Sequence, residues 1–282
     1  MTDPRQQQPV PLDTVPLDTS PLDNLQARWE SGQPALGAWL TVPSPVSAEA
    51  VARVGFDYVC TDTQHGAVDY QVAVHTIQAV ILGGSRPIVR VPWNEPGIIG
   101  KMLDAGAEAI VVPMVNTADQ ARAVVRACRY PPLGERSFGP VMASLRSTTY
   151  TADANIRVAA IPMIETVEAV GNLDDILQTP GITAVYVGPA DLSLSLGLPP
   201  GNNDGDPHFD DALIRIVKLC HEAGVVAGIH STAALTQRRL DQGFRMVTVA
   251  SDLLSMRTRM ADELAEARGG SGAPGDRGSS IY

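Results

Sequence analysis

The sequence has few lysines and few cysteines, and each shortage excludes a type of chemistry. Its 282 residues include only two lysines, Lys101 and Lys218, and both fall in predicted helices away from strand ends. Schiff-base catalysis needs a lysine inside the active site, so we do not expect it here. The three cysteines, Cys60, Cys128 and Cys220, are odd in number and widely spaced. That pattern predicts neither a disulfide framework nor a zinc site.

Basic charge and long apolar runs are also scarce. Lys and Arg total 21 against 31 Asp and Glu, a formal net charge of −10, which argues against a nucleic-acid-binding surface. No apolar run approaches the ~20 residues that span a bilayer, and the first residues do not resemble a signal peptide. There is no GxSxG elbow, and no glycine-rich phosphate-binding motif follows the first predicted strand. We therefore expect a cytoplasmic protein without nucleic-acid or membrane partners.

The two ends differ in composition from the rest of the chain. Residues 1–24 contain the tripeptide Pro-Leu-Asp three times at a five-residue period, and proline at that spacing prevents a continuous helix or central strand. We interpret this segment as a flexible arm, with a docking peptide as the alternative. Residues 269–282 are rich in Gly and Ser and predict a flexible tail. The remaining domain, residues 25–268, is close to the ~250 residues of a single (β/α)₈ barrel.

Short apolar runs alternate with helical patterns between the two ends. Most runs are continuously apolar, as expected for parallel strands that are covered on both faces. The predicted strands span residues 36–41, 56–61, 87–91, 109–115, 159–164, 184–187, 225–229 and 246–250. The predicted helices span residues 47–54, 70–82, 117–127, 166–177, 210–222, 231–242 and 253–267. Eight alternations favour the α/β class, and within it a (β/α)₈ TIM barrel rather than an open sheet.

Two long segments interrupt this regular alternation. Residues 129–156 separate the fourth and fifth predicted strands, and residues 192–207 follow the sixth. Long loops in a compact domain are usually functional or disordered. We expect both segments near the mouth of the barrel.

Polar side chains gather at the ends of the predicted strands. His65 follows the second strand, Arg90 lies at the end of the third, Glu165 directly follows the fifth and Asp191 follows the sixth. The C-terminal strand ends of a TIM barrel build its active site, so we expect these four residues at one mouth. Two carboxylates without cysteine ligands suit a hard divalent cation such as Mg²⁺ or Mn²⁺.

Each of these four residues also has a structural interpretation. Glu165 is compatible with a favourable acid at the start of the next helix, and Asp191 with the cap of a turn. Arg90 would serve equally as the partner of a buried acid, and His65 as an ordinary loop histidine. The shared location at one mouth weakens all four of these alternatives together.

Several motifs resemble one known family. They are DTQHG (62–66), RVPWNEP (90–96), LDAGAEAIVVPMV (103–115), RYPPLGERSFGP (129–140), IPMIET (161–166) and GPADLSLSLG (188–197). Together they resemble the HpcH/HpaI class of metal-dependent pyruvate aldolases over residues 35–268. The resemblance implies a TIM barrel and a homo-oligomer, commonly a hexamer built from dimers. It also implies an active site shared between subunits, and a last helix that is often exchanged within a dimer.

The resemblance also implies a role for each candidate residue. Glu165 and Asp191 would be the ligands of Mg²⁺, Mn²⁺ or Co²⁺, and Arg90 would face the keto or enolate oxygen of pyruvate. His65 would be the acid/base on the aldol hydroxyl. Asp104, from a neighbouring subunit, would orient His65.

The pyruvate carboxylate would be held by the backbone around Gly188, Pro189 and Ala190. Two further substrate-side positions depart from the pattern of sugar-acid aldolases, which often have Gln where this chain has Met163 and an aliphatic residue where it has His230. A third departure is Gln64, where those aldolases often have Glu. These changes affect the acceptor and bear on the reaction, because a thioether cannot donate an amide hydrogen bond.

The expected activity is therefore that of a divalent-metal-dependent aldolase. It would form or cleave the carbon–carbon bond between a pyruvate enolate and an aldehyde, so its partners would be a small keto acid and an aldehyde. One alternative is a carbon–carbon synthase that decarboxylates oxaloacetate on the same site. The other is a non-catalytic barrel that binds a keto acid.

Overall fold

The computed structural model describes residues 24–269. Apart from Asn24 and Gly269, the predicted N-terminal arm and the predicted Gly/Ser tail lie outside these residues. In the part of the chain that is described, no helix has the length and apolar character needed to cross a membrane.

The eight strands form one closed parallel barrel in the order of the sequence. Each strand pairs with the next, and the eighth closes the barrel by pairing with the first. The strands are β1 (Ala35–Leu40), β2 (Tyr58–Asp62), β3 (Arg86–Arg90), β4 (Ala109–Val112), β5 (Ala159–Ile164), β6 (Ala184–Val187), β7 (Val226–His230) and β8 (Met246–Ser251). All eight coincide with predicted strands to within a few residues, and the predicted TIM barrel is confirmed.

Most helices surround the barrel on its outer face, whereas the first helix packs Leu25 and Trp29 against the inward-facing strand residues. The helices are α1 (Leu25–Glu30), α2 (Pro45–Ala52), α3 (Tyr70–Leu82), α4 (Pro96–Ala105), α5 (Ala118–Cys128), α6 (Tyr150–Arg157), α7 (Val167–Gly171), α8 (Leu173–Leu177), α9 (Pro189–Ser195), α10 (Pro207–Ala223), α11 (Thr236–Gln242) and α12 (Asp252–Ala267). A capping box begins α5, because the Thr117 hydroxyl accepts from the Gln120 backbone amide and the Gln120 side chain accepts from the Thr117 backbone amide.

Strand side chains alternate between two apolar layers. On β6, Tyr186 points into the barrel, whereas Val185 and Val187 pack against the helices. This two-residue period is a property of extended backbone. It explains the continuous apolar runs, since both faces of every strand are covered. It also predicts which residues just beyond the apolar runs project into the mouth.

Two predicted helices are interrupted. The helix predicted at 166–177 is divided into α7 and α8 at Asn172, whose side-chain amide donates to the Asn116 carbonyl at 2.9 Å. The helix predicted at 231–242 begins as a 3₁₀ turn, Ala233–Leu235, and becomes α-helical only at Thr236. The Thr236 hydroxyl donates back to the Thr232 carbonyl at this junction.

The predicted position of one long segment is wrong. Residues 129–156 connect the end of α5 to the start of β5 and contain most of α6. In a β/α barrel a helix returns the chain to the N-terminal ends of the strands, so this segment lies opposite the mouth. The segment at 192–207 contains the end of α9 and follows β6, so it does lie on the mouth side.

Candidate active site

A buried ion pair forms the centre of the mouth. Asp62 and Arg90 end β2 and β3 and face each other in the strand register. Arg90 Nε donates to Asp62 Oδ1 at 2.9 Å, and Nη2 donates to Oδ2 at 2.5 Å. Both residues are buried, and the guanidinium carbon lies 5.0 Å from the centre of the Trp39 ring. Arg90 is thus held rigidly by a planar two-bond contact, which an ammonium group could not reproduce.

Asp62 also organises the loop that carries His65. Its Oδ1 accepts from the backbone amides of Gln64 at 3.0 Å and His65 at 3.3 Å, an Asx-type turn. Burial alone would raise the pKa of Asp62, but the hydrogen bonds and positive charge of Arg90 outweigh burial and hold the pKa below its ordinary value. The His65 side chain is exposed on this loop.

Glu165 is the most unusual carboxylate at the mouth. It is 2% exposed, and its Oε1 accepts from the Met114 amide at 2.7 Å. Met114 has a positive φ of 56°, an uncommon conformation for a residue with a side chain. Burial raises the pKa of Glu165 to about 7, and the nearby charge of Asp191 adds to the increase, although the Met114 amide and Arg90 oppose it. The carboxylate therefore lacks adequate compensation for its charge.

Gly188 allows β6 to approach this carboxylate. A Cβ atom at Gly188 would lie 2.3 Å from Glu165 Oε2 and 3.0 Å from the Met163 methyl carbon. Any other residue would displace the carboxylate. Three residues later, Asp191 lies exposed in the first turn of α9.

The two carboxylates fit a hard divalent cation. Glu165 and Asp191 follow neighbouring strands that pair through Ile164 and Val187, and both offer only oxygen. No cluster of three or more His, Cys, Asp or Glu residues suited to a metal occurs within residues 24–269. Two protein ligands leave several coordination positions for water or substrate oxygens, as Mg²⁺ sites commonly have. The uncompensated charge of buried Glu165 is the structural feature that such a cation would satisfy.

One small cavity brings together most of the predicted site residues. Its volume is about 20 Å³. The cavity is lined by Trp39, Arg90, Met163, Tyr186, Gly188, Pro189, Ala190, Asp191 and His230. Glu165 lies directly behind Gly188. Of this lining, Trp39 and Tyr186 are residues that sequence reasoning missed, because each reads as an ordinary apolar member of a strand.

His230 is buried at the end of β7. Its ring meets the edge of Trp39 at 5.1 Å between centroids, and its Nδ1 lies 3.5 Å from the Tyr186 hydroxyl. Burial, and secondarily the charge of Arg90, lower the pKa of His230 to about 3, so the imidazole is neutral at physiological pH. It presents a polar but uncharged surface to the cavity.

A buried hydroxyl network inside the barrel contacts His230 through the Tyr186 hydroxyl. Tyr186 and Tyr58 both contact the Thr248 hydroxyl, at 2.6 Å and 2.9 Å respectively. All three residues point into the barrel, where apolar side chains are usual. This network fixes the floor of the cavity, and sequence reasoning did not identify it.

Asp104 is the one predicted site residue that lies elsewhere. It lies in the last turn of α4, at the end of the barrel opposite the mouth, and accepts from Arg136 Nη2 at 2.6 Å. Burial raises the pKa of Asp104 despite the opposing effect of Arg136. Within one chain Asp104 is therefore separated from His65. The resemblance assigned it to a neighbouring subunit's site, and that assignment stays a prediction.

Comparison with known proteins agrees with this geometry. The family model described as HpcH/HpaI aldolase/citrate lyase matches residues 35–258. The chain belongs to the HpcH/HpaI aldolase/citrate lyase family. The matched range contains every candidate site residue, from Asp62 to His230, and confirms the resemblance inferred from the motifs.

Individual members of the HpcH/HpaI family are similar over nearly the whole described domain. A hydroxypyruvate/pyruvate aldolase of Rhizorhabdus wittichii is 40% identical over 242 residues, covering 85% of this chain and 96% of that protein. A 2-dehydro-3,6-dideoxy-6-sulfogluconate aldolase of Pseudomonas putida is 38% identical, covering 85% and 94%. The crystal structure of a family member from Burkholderia cenocepacia has a TM-score of 0.81 at 32% identity, covering 86% and 98%.

Proposed function

We propose that this protein is a divalent-metal-dependent aldolase acting on a pyruvate-type keto acid and an aldehyde. The observation that carries the proposal is the buried Glu165 carboxylate beside Asp191, with Arg90 lining the same cavity. An anion buried without compensation is costly unless a cation accompanies it. The names of similar proteins, which include a hydroxypyruvate/pyruvate aldolase, support the same substrate class.

Glu165 and Asp191 are the residues that would hold the metal, and Mg²⁺, Mn²⁺ and Co²⁺ all suit the proposal. A bound cation of this kind supplies Lewis acidity to the oxygens of the keto acid. The hydrogen bond from the Met114 amide fixes one oxygen of Glu165. This leaves the second oxygen, which lies next to Gly188, to face the metal position.

Arg90 stabilises the negative charge that develops on the enolate oxygen of the substrate. Its two hydrogen bonds to Asp62 fix the guanidinium before substrate arrives, and a preorganised donor costs no rearrangement during reaction. Burial strengthens this effect, because the local dielectric constant is lower than that of water.

His65 is the group that exchanges a proton with the aldol hydroxyl. Imidazole is the side chain most often used for acid/base exchange, and Asp62 fixes the backbone of the His65 loop by accepting hydrogen bonds from two backbone amides. In the proposal, Asp104 of a neighbouring copy orients the His65 ring. The backbone of Gly188, Pro189 and Ala190 binds the carboxylate of the keto acid.

Met163 and His230 set the shape and polarity of the cavity around the keto acid. Met163 lines the cavity. Its thioether faces the substrate without offering an amide hydrogen-bond donor. His230 offers a neutral ring nitrogen. We infer that these two residues contribute to the choice of keto acid and aldehyde.

The active form in this proposal is a homo-oligomer, a hexamer built from dimers. Two apolar surfaces of the single chain support it. One is the stripe on α12 formed by Leu253, Met256, Met260 and Leu264, which are 41%, 43%, 63% and 51% exposed. The other lies on the segment near Asp104 and includes exposed Phe138, Val141 and Leu145. Exposed apolar patches of this kind mark interaction surfaces. A cytoplasmic location remains a prediction from the sequence.

A retro-aldol screen tests the proposed activity. Pyruvate or hydroxypyruvate release would be followed for a panel of 4-hydroxy-2-oxo acids, with Mg²⁺, Mn²⁺ or Co²⁺ and with EDTA. We expect metal-dependent release that EDTA abolishes. Oxaloacetate decarboxylation is measured in parallel, since turnover of oxaloacetate without any aldol cleavage would favour the decarboxylating synthase instead.

A further inference from the structure

A second cavity lies at the end of the barrel opposite the mouth. Its volume is about 170 Å³, compared with about 20 Å³ at the mouth. One wall is formed by residues at the starts of β3 and β4, including Arg86 and Glu108. The other wall is formed by Arg146 of the segment that sequence analysis misplaced, and by Tyr150 and Arg157 of α6. The proposed aldolase reaction does not use any of these residues.

The described residues that line this cavity carry a net positive charge, which is opposite in sign to the net charge of the whole chain. Of the described residues that line it, three are arginines (Arg86, Arg146 and Arg157) and one is an acid, Glu108, whereas the whole chain has a net charge of −10. Arg86 Nη1 pairs with Glu108 Oε2 at 3.0 Å. The opposite charges of Arg86 and Glu108 offset each other, so Arg146 and Arg157 leave a local excess of positive charge.

Arg146 lacks a carboxylate partner among residues 24–269. Its guanidinium is half-buried, and its Nη2 donates to the Ala105 carbonyl at 3.1 Å. Burial lowers the pKa of Arg146, an effect that the charge of Glu108 only partly opposes. Removing a guanidinium from water is costly unless an anion compensates for it. Arg157 is also half-buried on the cavity wall and has no ion pair with a described residue.

We propose that this cavity is a second binding site, for a small oxyanion held by Arg146 and Arg157. A volume of about 170 Å³ is well above the roughly 10–15 Å³ that one water molecule requires on the same measure. The cavity therefore has room for a small anion such as inorganic phosphate or a three-carbon dicarboxylate. Arginine suits such ligands, because its planar donors match the oxygen spacing of phosphate and carboxylate groups.

The oxyanion has two possible sources, a free metabolite or the chain itself. Asp13, Asp18 and Asp23 belong to the Pro-Leu-Asp repeats and precede Asn24, which lines the cavity. A variant of the full chain in which all three become Asn separates the sources, because it should bind free phosphate more tightly only if the repeats compete.

Calorimetric titration with inorganic phosphate tests the site on the full-length protein. We expect millimolar or tighter binding, a loss of at least about tenfold in affinity in Arg146→Gln and Arg157→Gln, and tighter binding in Glu108→Gln, which removes the competing acid. Arg122→Gln is the matched control, since Arg122 is exposed and is not among the residues that line the cavity. Unchanged affinity in both arginine variants overturns the proposal, as does weaker binding in Glu108→Gln.

Failure of both the wild type and the triple Asp-to-Asn variant to bind phosphate is also decisive. If neither the wild type nor the triple Asp-to-Asn variant binds phosphate, the cavity is not an anion site. Melting temperatures identify any variant that fails to fold, and the gain expected in Glu108→Gln remains a test that loss of folding cannot imitate.

Discussion

Replacing Asp62 by Asn tests how the centre of the mouth is held together. The substitution keeps the size of the side chain but removes the charge that receives both Arg90 hydrogen bonds. Asp62 is 0% exposed and Arg90 3% exposed, so the guanidinium would remain buried without the carboxylate that accepts these two hydrogen bonds. Breaking a buried pair in this way costs about 3–5 kcal/mol. For a domain of this size the melting temperature should fall by roughly 6–20 °C.

Thermal and urea unfolding followed by circular dichroism measure this loss. Asp119→Asn is the matched control, because Asp119 pairs with Arg122 on the surface and exposed pairs are worth only about 0–1 kcal/mol. The double variant Asp62→Leu with Arg90→Met should recover much of the stability, since it removes both charges together. A loss of less than about 1 kcal/mol in Asp62→Asn would refute the reasoning.

The same substitution predicts a pH dependence with a defined sign. Arg90 holds the pKa of Asp62 below its ordinary value in the folded protein. Asp62 therefore contributes stability above the ordinary pKa of about 3.9, and the contribution is lost as the pH falls toward the folded pKa. The difference in stability between the wild type and Asp62→Asn should be constant near neutral pH and should shrink in acid. A difference that grows in acid would contradict this.

Three further predictions concern the site and its assembly. Gly188→Ala should abolish metal-dependent turnover, because its Cβ would lie 2.3 Å from Glu165 Oε2; steady-state pyruvate release measures this, and near-normal turnover would contradict it. Arg90→Lys should reduce turnover more than about tenfold, roughly 1.4 kcal/mol of barrier, since an ammonium cannot reproduce the planar contact; a smaller reduction counts against the role. Inactive His65→Ala and Asp104→Ala chains should regain activity when they are refolded together as a mixture. About a quarter of the sites in a closed oligomer would then combine an intact His65 with an intact Asp104 from the neighbouring chain. No recovery of activity would place Asp104 outside the shared site.

The barrel and much of its mouth were predictable from the sequence. Parallel strands covered on both faces are continuously apolar, so the strand positions were clear. Once the strands are placed, their two-residue period also identifies inward-facing positions. Arg90 and Glu165 continue the inward rows of β3 and β5, and both line or adjoin the observed site.

Other features depend on contacts that a linear pattern does not contain. Asp62 appeared in a motif, but its part in holding Arg90 and the His65 loop needs the register between β2 and β3. Tyr186 and Thr248 meet across the barrel over a sequence separation of 62 residues. The segment at 129–156 was misplaced because its length alone was taken to indicate function. The predicted helix at 117–127 already implied a helix-to-strand connection, which lies opposite the mouth of a TIM barrel.

Metal binding by Glu165 and Asp191 is the central claim, and one titration tests it most directly. Mn²⁺ is added to the metal-free protein and the free ion is measured by electron paramagnetic resonance, for the wild type, Glu165→Gln and Asp191→Asn. The account predicts one Mn²⁺ per chain in the wild type and at least about a hundredfold weaker binding in each variant, since each removes one of two charged ligands. Retention of stoichiometric Mn²⁺ at wild-type affinity in either variant would contradict it.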